Sequence, residues 1–253
     1  MSMATLHGIF VVATVLYAVA SCGYFLFAMN GSQHVSTWSM RTLCVAVAGH
    51  TLFLAGDWQT AFASVGTGAL DVRRSLVLAS LLIALAFLAA LRFHKLTVLG
   101  AFVTPVILLV LLGASLGSSI PHVSPQLRSA LLPAHILANV LGIAAFTLAF
   151  GIALAYLIQE RLLRRRQLGG LFQRLPPLEV LDSLGLKMLM IGFPLFTLGT
   201  ALGTIWAVRA TAISTGHVFG VVAWLVFAGV LLLRLVVGWQ GRRAALGTLL
   251  GFA

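Results

Sequence analysis

The stretch LPAHILANVLGIAAFTLAFGIALAYLI, residues 132–158, decides the fold. It carries no Asp, Glu, Lys or Arg, and it is longer than the roughly 20 apolar residues that a helix needs to cross a bilayer. Its apolar residues follow one another without the alternation of polar and apolar positions that marks a strand of a membrane barrel. The stretch therefore predicts a transmembrane helix.

Further apolar stretches fill most of the remaining chain. Six are long enough to span a membrane: residues 6–28, 39–57, 75–92, 96–117, 187–207 and 217–236. Another opens at Ala244 and is too short to cross, so it is either a half-helix at the interface or the start of a further span. The sequence predicts an all-α polytopic transmembrane helix bundle of seven to eight spans, with residues 1–253 forming a single transmembrane domain.

The composition agrees with a membrane protein. The chain is 60% hydrophobic and only 8% charged, whereas soluble domains carry about 25% charged residues. Its net charge of +11 comes mostly from short basic clusters between apolar runs, where membrane proteins place their cytoplasmic anchors. No basic face of the kind that binds nucleic acid is predicted, and membrane lipid is the expected surrounding partner.

The distribution of Lys and Arg predicts the orientation of the bundle. The most basic loop, residues 159–187, is predicted to be cytoplasmic, which places the N-terminus outside. Arg73 and Arg74 break this pattern, because their loop then lies outside and Asp71 offsets them only in part. Within the basic loop, Pro176 and Pro177 are predicted to stop the fifth span, and residues 178–186 to form a short amphipathic helix at the interface.

The spans hold few groups that could carry chemistry. Acidic side chains are almost absent from them, which argues against a proton-coupled transporter, since intramembrane acids usually mark transport pathways. No HExxH motif and no pair of carboxylates for a hydrolytic site is found. The sequence therefore predicts that the protein is not an enzyme, with no catalytic residue.

Histidines are the candidate functional residues. His50 lies in the middle of the second span, where an imidazole marks function or donates a hydrogen bond to a neighbouring helix. His135 and His217 begin the fifth and seventh spans at similar depth on the predicted outer side. Neutral imidazole binds iron well, so these two could clamp a haem as metal ligands, or be plain interface residues. The others are predicted to be solvated or in loops: His7, His34, His94 and His122.

Small residues and tryptophans also recur in the second half. The segments Gly199–Gly203 and Gly216–Gly220 both fit the GxxxG pattern, which is predicted to let helices pack closely. Trp206 and Trp239 fall at predicted interfaces, whereas Trp224 lies deeper. Interface belts explain the first two, and covering the face of a haem is the functional alternative for these aromatic residues.

Several spaced motifs resemble one known family. They are LRSALLPAH at 127–135, LPPLEVLD at 175–182, IGFPLFTLG at 191–199, GTIWA at 203–207, WLVFA at 224–228 and GWQGRRA at 238–244. In this order they resemble the cytochrome c assembly family, which includes CcsA-type haem-handling proteins, HemX-like proteins and YpjD-type inner-membrane proteins. The likeness covers about residues 90–250 and is nearest to the YpjD type, because the tryptophan-rich loop of full CcsA proteins is replaced here by residues 208–217.

The resemblance carries functional expectations. It implies a protein of the bacterial inner membrane that binds haem, of non-covalent b type, near its extracytoplasmic face through His135 and His217, with His50 as a further cofactor-binding candidate. It also implies other cytochrome c assembly or haem-pathway proteins as partners. The alternative is a HemX-like accessory or regulatory subunit that docks a partner through the basic loop 159–187.

Overall fold

A computed structural model describes residues 2–65, 72–93, 96–116, 131–209 and 215–252. In these ranges it contains nine α-helices, one 3-10 helix and no strand. Contacts between Cα atoms divide the chain into two compact units, Met1–Arg128 and Ser129–Ala253. Seven of the helices are long and apolar enough to cross a membrane, which confirms the predicted class and the number of full spans. The single-domain expectation and the outer position of the N-terminus stay predictions.

The helices follow the predicted spans and extend most of them by several residues. In the first unit they are α1 (Met3–Asn30), α2 (Gln33–Val65), α3 (Val72–Phe93) and, after a 3-10 helix over Thr97–Leu99, α4 (Gly100–Leu116). In the second unit they are α5 (Leu131–Arg164), α6 (Leu171–Arg174), α7 (Leu178–Arg209), α8 (Thr215–Leu235) and α9 (Arg242–Phe252).

The first unit packs α1 against α2 and α4, and α3 against α2 and α4. Two tyrosines of α1, Tyr17 and Tyr24, are fully buried in its interior together with Phe87 of α3. Tyr24 meets Phe87 edge to face at 5.9 Å, and it lies so near Gly100 that a Cβ there would come 2.5 Å from its ring. The close approach of α1 and α4 therefore depends on a glycine.

An ion-pair cluster in the first unit explains the two arginines that broke the charge pattern. The carboxylate of Asp57, at 7% exposure, accepts from the Arg73 guanidinium at 2.8 Å and from Arg74 Nε at 2.7 Å. A carboxylate between two guanidiniums offsets half of their charge. Asp71, the residue expected to do this, lies outside the described residues. The partner among the described residues comes from the preceding span, α2.

The second unit is built on an antiparallel pair, α5 and α7. Glycines of both helices meet large side chains of the other: Gly142 faces Phe196, and Gly192 faces Phe146. The helix α8 packs on α7, and the short α9 packs across α5 and α8. The short C-terminal stretch is thus a helix of 11 residues, with Ala244, Ala245, Gly247 and Thr248 buried against its neighbours.

The basic loop differs from its prediction in two respects. The helix α5 ends at Arg164 and the chain turns at Arg166, whose φ is 54°, so the prolines at 176 and 177 precede α7 rather than stop the fifth span. The prediction of a separate interfacial helix over residues 178–186 is wrong, because these residues form the first turns of α7. The reason lies in Asp182, which pairs with Arg234 of α8 at 3.0 Å and so can join a span.

Candidate functional site

His135 lies in the second turn of α5 and is half-buried against α7. Its Nδ1 is 2.6 Å from the carbonyl oxygen of Gly199. Because a backbone carbonyl only accepts hydrogen bonds, Nδ1 carries the proton and Nε2 keeps its lone pair. This is the arrangement in which a histidine ligates a metal, with one ring nitrogen donating to a backbone oxygen and the other facing the metal.

Asn139 stands one turn after His135 and lies beside the same nitrogen. Its side-chain amide is 3.0 Å from Nδ1 of His135. The amide atom at this distance is the nitrogen Nδ2, which lies against the edge of the ring beside the hydrogen bond to Gly199. Asn139 therefore packs against the ring nitrogen that faces Gly199 and helps to hold the ring in place.

The predicted GxxxG segment Gly199–Gly203 forms the seat of this imidazole. A Cβ at Gly203 would overlap Cε1 of the His135 ring, and a Cβ at Gly199 would come 2.8 Å from the backbone nitrogen of Asn139. The expectation that these glycines allow close helix packing is confirmed. What the sequence did not reveal is that the group admitted by Gly203 is the candidate ligand itself.

His217 lies in the first turn of α8 and is half-buried. Both α5 and α8 run antiparallel to α7, so they run in the same direction. The rings of Phe146 on α5 and Phe227 on α8 stack with centroids 3.8 Å apart. His135 precedes Phe146 by eleven residues and His217 precedes Phe227 by ten. At a rise of about 1.5 Å per residue, the two histidines stand at nearly equal height above this stacked pair.

Helix periodicity also relates the faces on which these residues lie. Eleven residues make about three helical turns, so His135 lies on the same face of α5 as Phe146. Ten residues fall short of three turns, so the directions of His217 and Phe227 differ by about 80° around the axis of α8. Gly220 lies between His217 and Phe227 on α8, two turns before Phe227. A Cβ at Gly220 would meet nothing within 4 Å among the described residues. The second GxxxG segment is therefore open at Gly220 rather than closely packed.

An aromatic cluster closes the unit beneath the histidines. Phe146, Phe196 and Phe227 are buried there, and Trp224 packs against them while its indole nitrogen donates to Thr197 at 2.8 Å. Trp224 also stacks with Phe193 at 5.8 Å. In this arrangement Trp224 joins α7 to α8.

His50 belongs to the first unit and is 1% exposed. Its Nδ1 is 3.2 Å from the hydroxyl of Tyr17 on α1, and no described residue hydrogen-bonds to its Nε2. A hydroxyl of another helix is thus one partner of the ring, and the backbone of Val77 on α3 interacts with it as well, in line with the expected contact to a neighbouring helix. The hydroxyl of Tyr17, in the middle of an apolar span, is the sequence signal that could have indicated this pair.

The remaining histidines fall into two groups. His7 is exposed, and His34 is exposed with its Nε2 accepting from the indole of Trp38 at 2.9 Å. His94 and His122 lie outside the described residues. In the described ranges no group of three or more His, Cys, Asp or Glu side chains could share a metal ion.

A buried ion pair between Arg234 and Asp182 lies at the other end of the second unit, and the sequence analysis did not predict it. The Arg234 side chain is 4% exposed and lies 3.0 Å from Oδ1 of Asp182. The same oxygen accepts the backbone N–H of Gly241 at 3.0 Å. An arginine within the run LLLRLVV was the available signal, since such a charge needs a partner.

Known proteins share sequence with part of this chain. A family model described as "Cytochrome C assembly protein" matches residues 69–253. The "Cytochrome c biogenesis protein CcsA" of Synechococcus sp. (strain JA-2-3B'a(2-13)) is 40% identical over 85 residues, which are 32% of this chain and 24% of that protein. The protein of the same name from Trichormus variabilis is 38% identical over 84 residues, with the same coverage of 32% and 24%.

These matches define how far the likeness reaches. The CcsA protein of Trichodesmium erythraeum is 35% identical over 85 residues, again 32% of this chain and 24% of the relative. The chain thus matches about a quarter of the length of these curated relatives. The family match, in contrast, extends over most of the chain and takes in His135, His217 and the helices that carry them. The chain therefore belongs to the cytochrome c assembly protein family.

Proposed function

We propose that this multi-pass membrane protein binds haem through His135 and His217 and handles it during cytochrome c assembly. The observation that carries the proposal is the hydrogen bond from Nδ1 of His135 to the carbonyl oxygen of Gly199 at 2.6 Å. That bond leaves Nε2 as the nitrogen with a lone pair, in a half-buried ring at the end of an apolar helix pair. Metal-binding histidines are commonly oriented in this way.

The residues present fit a haem. His135 supplies one imidazole from α5 and His217 a second from α8 at nearly the same height, and the aromatic cluster around Phe146 and Phe227 supplies an apolar surface beneath them. Haem bound there would supply an iron whose axial positions accept imidazole nitrogens. The protein's part is to fix the His135 tautomer, to present His217 and to exclude water, so we propose a binding role and not an enzyme.

His50 stays a predicted third cofactor-binding residue. Its Nδ1 is occupied by the Tyr17 hydroxyl, so any contact with haem would use Nε2. Since both side chains are buried in the first unit, their present contacts support a role in packing α1 against α2. The proposed ligation therefore depends on His135 and His217 first.

Location and topology belong to the same proposal. The helix α5 carries His135 near its start and Arg161 and Arg164 in its last turn. If the basic end lies in the cytoplasm, as the positive-inside rule predicts, the histidine end is extracytoplasmic. We propose that the protein resides in a bacterial inner membrane in this orientation and that it meets other haem-pathway proteins there.

Haem loading of the purified chain tests the proposal. We expect an absorption spectrum shifted from that of free haem for the wild type, and loss of the shift for His135→Ala and for His217→Ala. His7→Ala is the matched control, because His7 is exposed on α1, and it should keep the wild-type spectrum. A wild-type spectrum that equals free haem, or one that neither substitution changes, would reject the proposal.

The second candidate is an accessory or regulatory subunit that docks a partner through the basic loop 159–187. The exposed side chains of Arg165 and Arg166 favour it, because neither pairs with an acidic residue in the described part of the chain. The discriminating experiment is a pull-down with Arg165→Glu/Arg166→Glu. A partner that binds the wild type, is lost on charge reversal and is found with no haem in the protein would favour this candidate.

A further inference from the structure

The end of the second unit opposite His135 carries two adjoining grooves. The first has a volume of about 490 Å³ and the second about 540 Å³. They share Arg164 and Arg242, so they form one basic depression between the end of α5 and the start of α9. We propose that this depression is a binding site for an anionic phospholipid, with the phosphate among the arginines and an acyl chain along the apolar wall.

The charge of the depression has few internal counterions. Glu160, which lines the first groove, pairs with Arg164 at 2.8 Å. Asp182 pairs with the buried Arg234. The exposed guanidiniums of the groove residues that remain have no acidic partner in the described ranges: Arg161, Arg165, Arg242 and Arg243. Such a cluster at a membrane surface attracts anionic lipid headgroups.

The wall of the first groove changes from basic to apolar along α5. Arg161, Arg164 and Arg165 lie at the rim, and Leu154, Leu157 and Ile158 follow about one turn and two turns nearer the middle of the span. Leu246 of α9 completes the apolar side. A site that is cationic at the helix end and apolar within the span matches an amphiphile, with its phosphate outside and its chain inside.

The segment that brings Arg242 to the groove is fixed by hydrogen bonds. The backbone N–H of Gly241 donates to Asp182 Oδ1 at 3.0 Å. Gly241 has φ of 66°, and a Cβ there would come 2.7 Å from the Tyr156 hydroxyl. Arg242 therefore starts α9 at a set position against α5, and the positive end of this 11-residue helix adds to the field in the groove.

The surroundings of the grooves favour lipid over a soluble acidic partner. Apolar side chains at the end of α8 are exposed beside the second groove, with Val236 at 73% and Val237 at 62%. Trp239, which lines that groove, is half-buried, and tryptophan is enriched at membrane interfaces. A water-facing protein surface would leave these apolar groups against solvent, whereas a bilayer covers them.

Native mass spectrometry of the full chain in detergent tests this site. The probes are phosphatidylglycerol and phosphatidylcholine with the same acyl chains. We expect the wild type to retain phosphatidylglycerol in preference to phosphatidylcholine, and Arg161→Gln/Arg242→Gln to weaken phosphatidylglycerol binding about tenfold or more, given roughly 1 kcal/mol for each basic residue at an anionic surface. The control Arg92→Gln/Arg166→Gln removes the same charge from exposed residues outside both grooves and should change binding less than about threefold.

Two further measurements distinguish a lipid headgroup from free phosphate and control for misfolding of the variant. Inorganic phosphate at millimolar concentration should not displace phosphatidylglycerol, and Arg161→Lys/Arg242→Lys should keep most of the binding because the charge remains. The proposal is overturned by equal retention of the two lipids on the wild type, by an equal loss in the control pair, or by displacement with phosphate alone. Retention of an acidic protein without any lipid preference overturns it as well.

Discussion

Nδ1 of His135 lies 2.6 Å from the carbonyl oxygen of Gly199, across the interface between α5 and α7. The ring reaches this position because Gly203, one turn further along α7, has no side chain to stand in its way. A helix-packing motif and a candidate haem ligand are thus the same structural feature. Substitutions at these positions can separate the contribution to helix packing from the contribution to haem binding.

Gly203→Ala should displace the His135 ring. A Cβ at Gly203 overlaps Cε1 of that ring, and overpacking of this kind costs about 1–3 kcal/mol. We expect a lower thermal unfolding temperature in detergent together with weakened haem binding.

Gly220→Ala is the matched control for that substitution. It sits in the other GxxxG segment, and a Cβ there meets nothing within 4 Å in the described part of the chain. We expect unchanged or slightly raised stability, because alanine favours a helix by up to about 1 kcal/mol over glycine. Equal losses of haem binding in both variants would contradict the proposed seat.

Asn139→Ala should weaken haem binding without removing the ligand. Nδ2 of Asn139 lies 3.0 Å from Nδ1 of His135 and helps to hold the ring in place. Loss of a residue that orients a metal-binding histidine typically costs about 10- to 100-fold in affinity. Titration of the variant with haem measures this, and His135→Ala sets the limit for complete loss. An affinity equal to that of the wild type would show that Gly199 alone orients the ring.

The sequence revealed the helices because their signal is local. Each span is a continuous apolar run, and the GxxxG segment Gly199–Gly203 is visible in five consecutive residues. The seat of His135 is not visible in this way, since it joins residues 64 positions apart. The prediction for the charged residues is incomplete for the same reason. The local pattern predicts Asp182 on an interfacial helix, and it leaves Arg73 and Arg74 in an outer loop that the positive-inside rule does not favour. Each is matched by a partner on another helix that no local pattern indicates.

Asp182→Asn should destabilise the second unit strongly. The substitution leaves the Arg234 guanidinium, whose side chain is 4% exposed, without its counterion. Breaking a buried ion pair from one side typically costs about 3–5 kcal/mol. Thermal unfolding in detergent measures the loss. Glu160→Gln is the control, because its partner Arg164 lies one turn along the same helix with 68% of its side chain exposed, and such a pair should contribute about 0.5 kcal/mol or less.

The double variant Asp182→Asn/Arg234→Met tests the same pair from both sides. Removing both charges leaves no uncompensated ion, so the double variant should be more stable than Asp182→Asn alone. If the stability losses of the two single variants add up to that of the double variant, the two residues act independently, contrary to their 3.0 Å separation.

Asp57→Asn should alter both the stability and the insertion of the first unit. Asp57 is 7% exposed and accepts from Arg73 and Arg74, so its neutralisation removes a shared counterion from two cations at the end of the membrane predicted to be outside. Hydrogen bonds to charged groups contribute about 1.5–3 kcal/mol each, and we expect a loss of at least that size. Because unmatched Lys and Arg favour the cytoplasmic side, a reporter fused after α2 should show a mixed orientation for this variant. Asp57→Asn/Arg73→Gln/Arg74→Gln should restore a single orientation, since no cation then remains to oppose it. If Asp57→Asn alone inserts as the wild type does, the pairing has no part in setting topology.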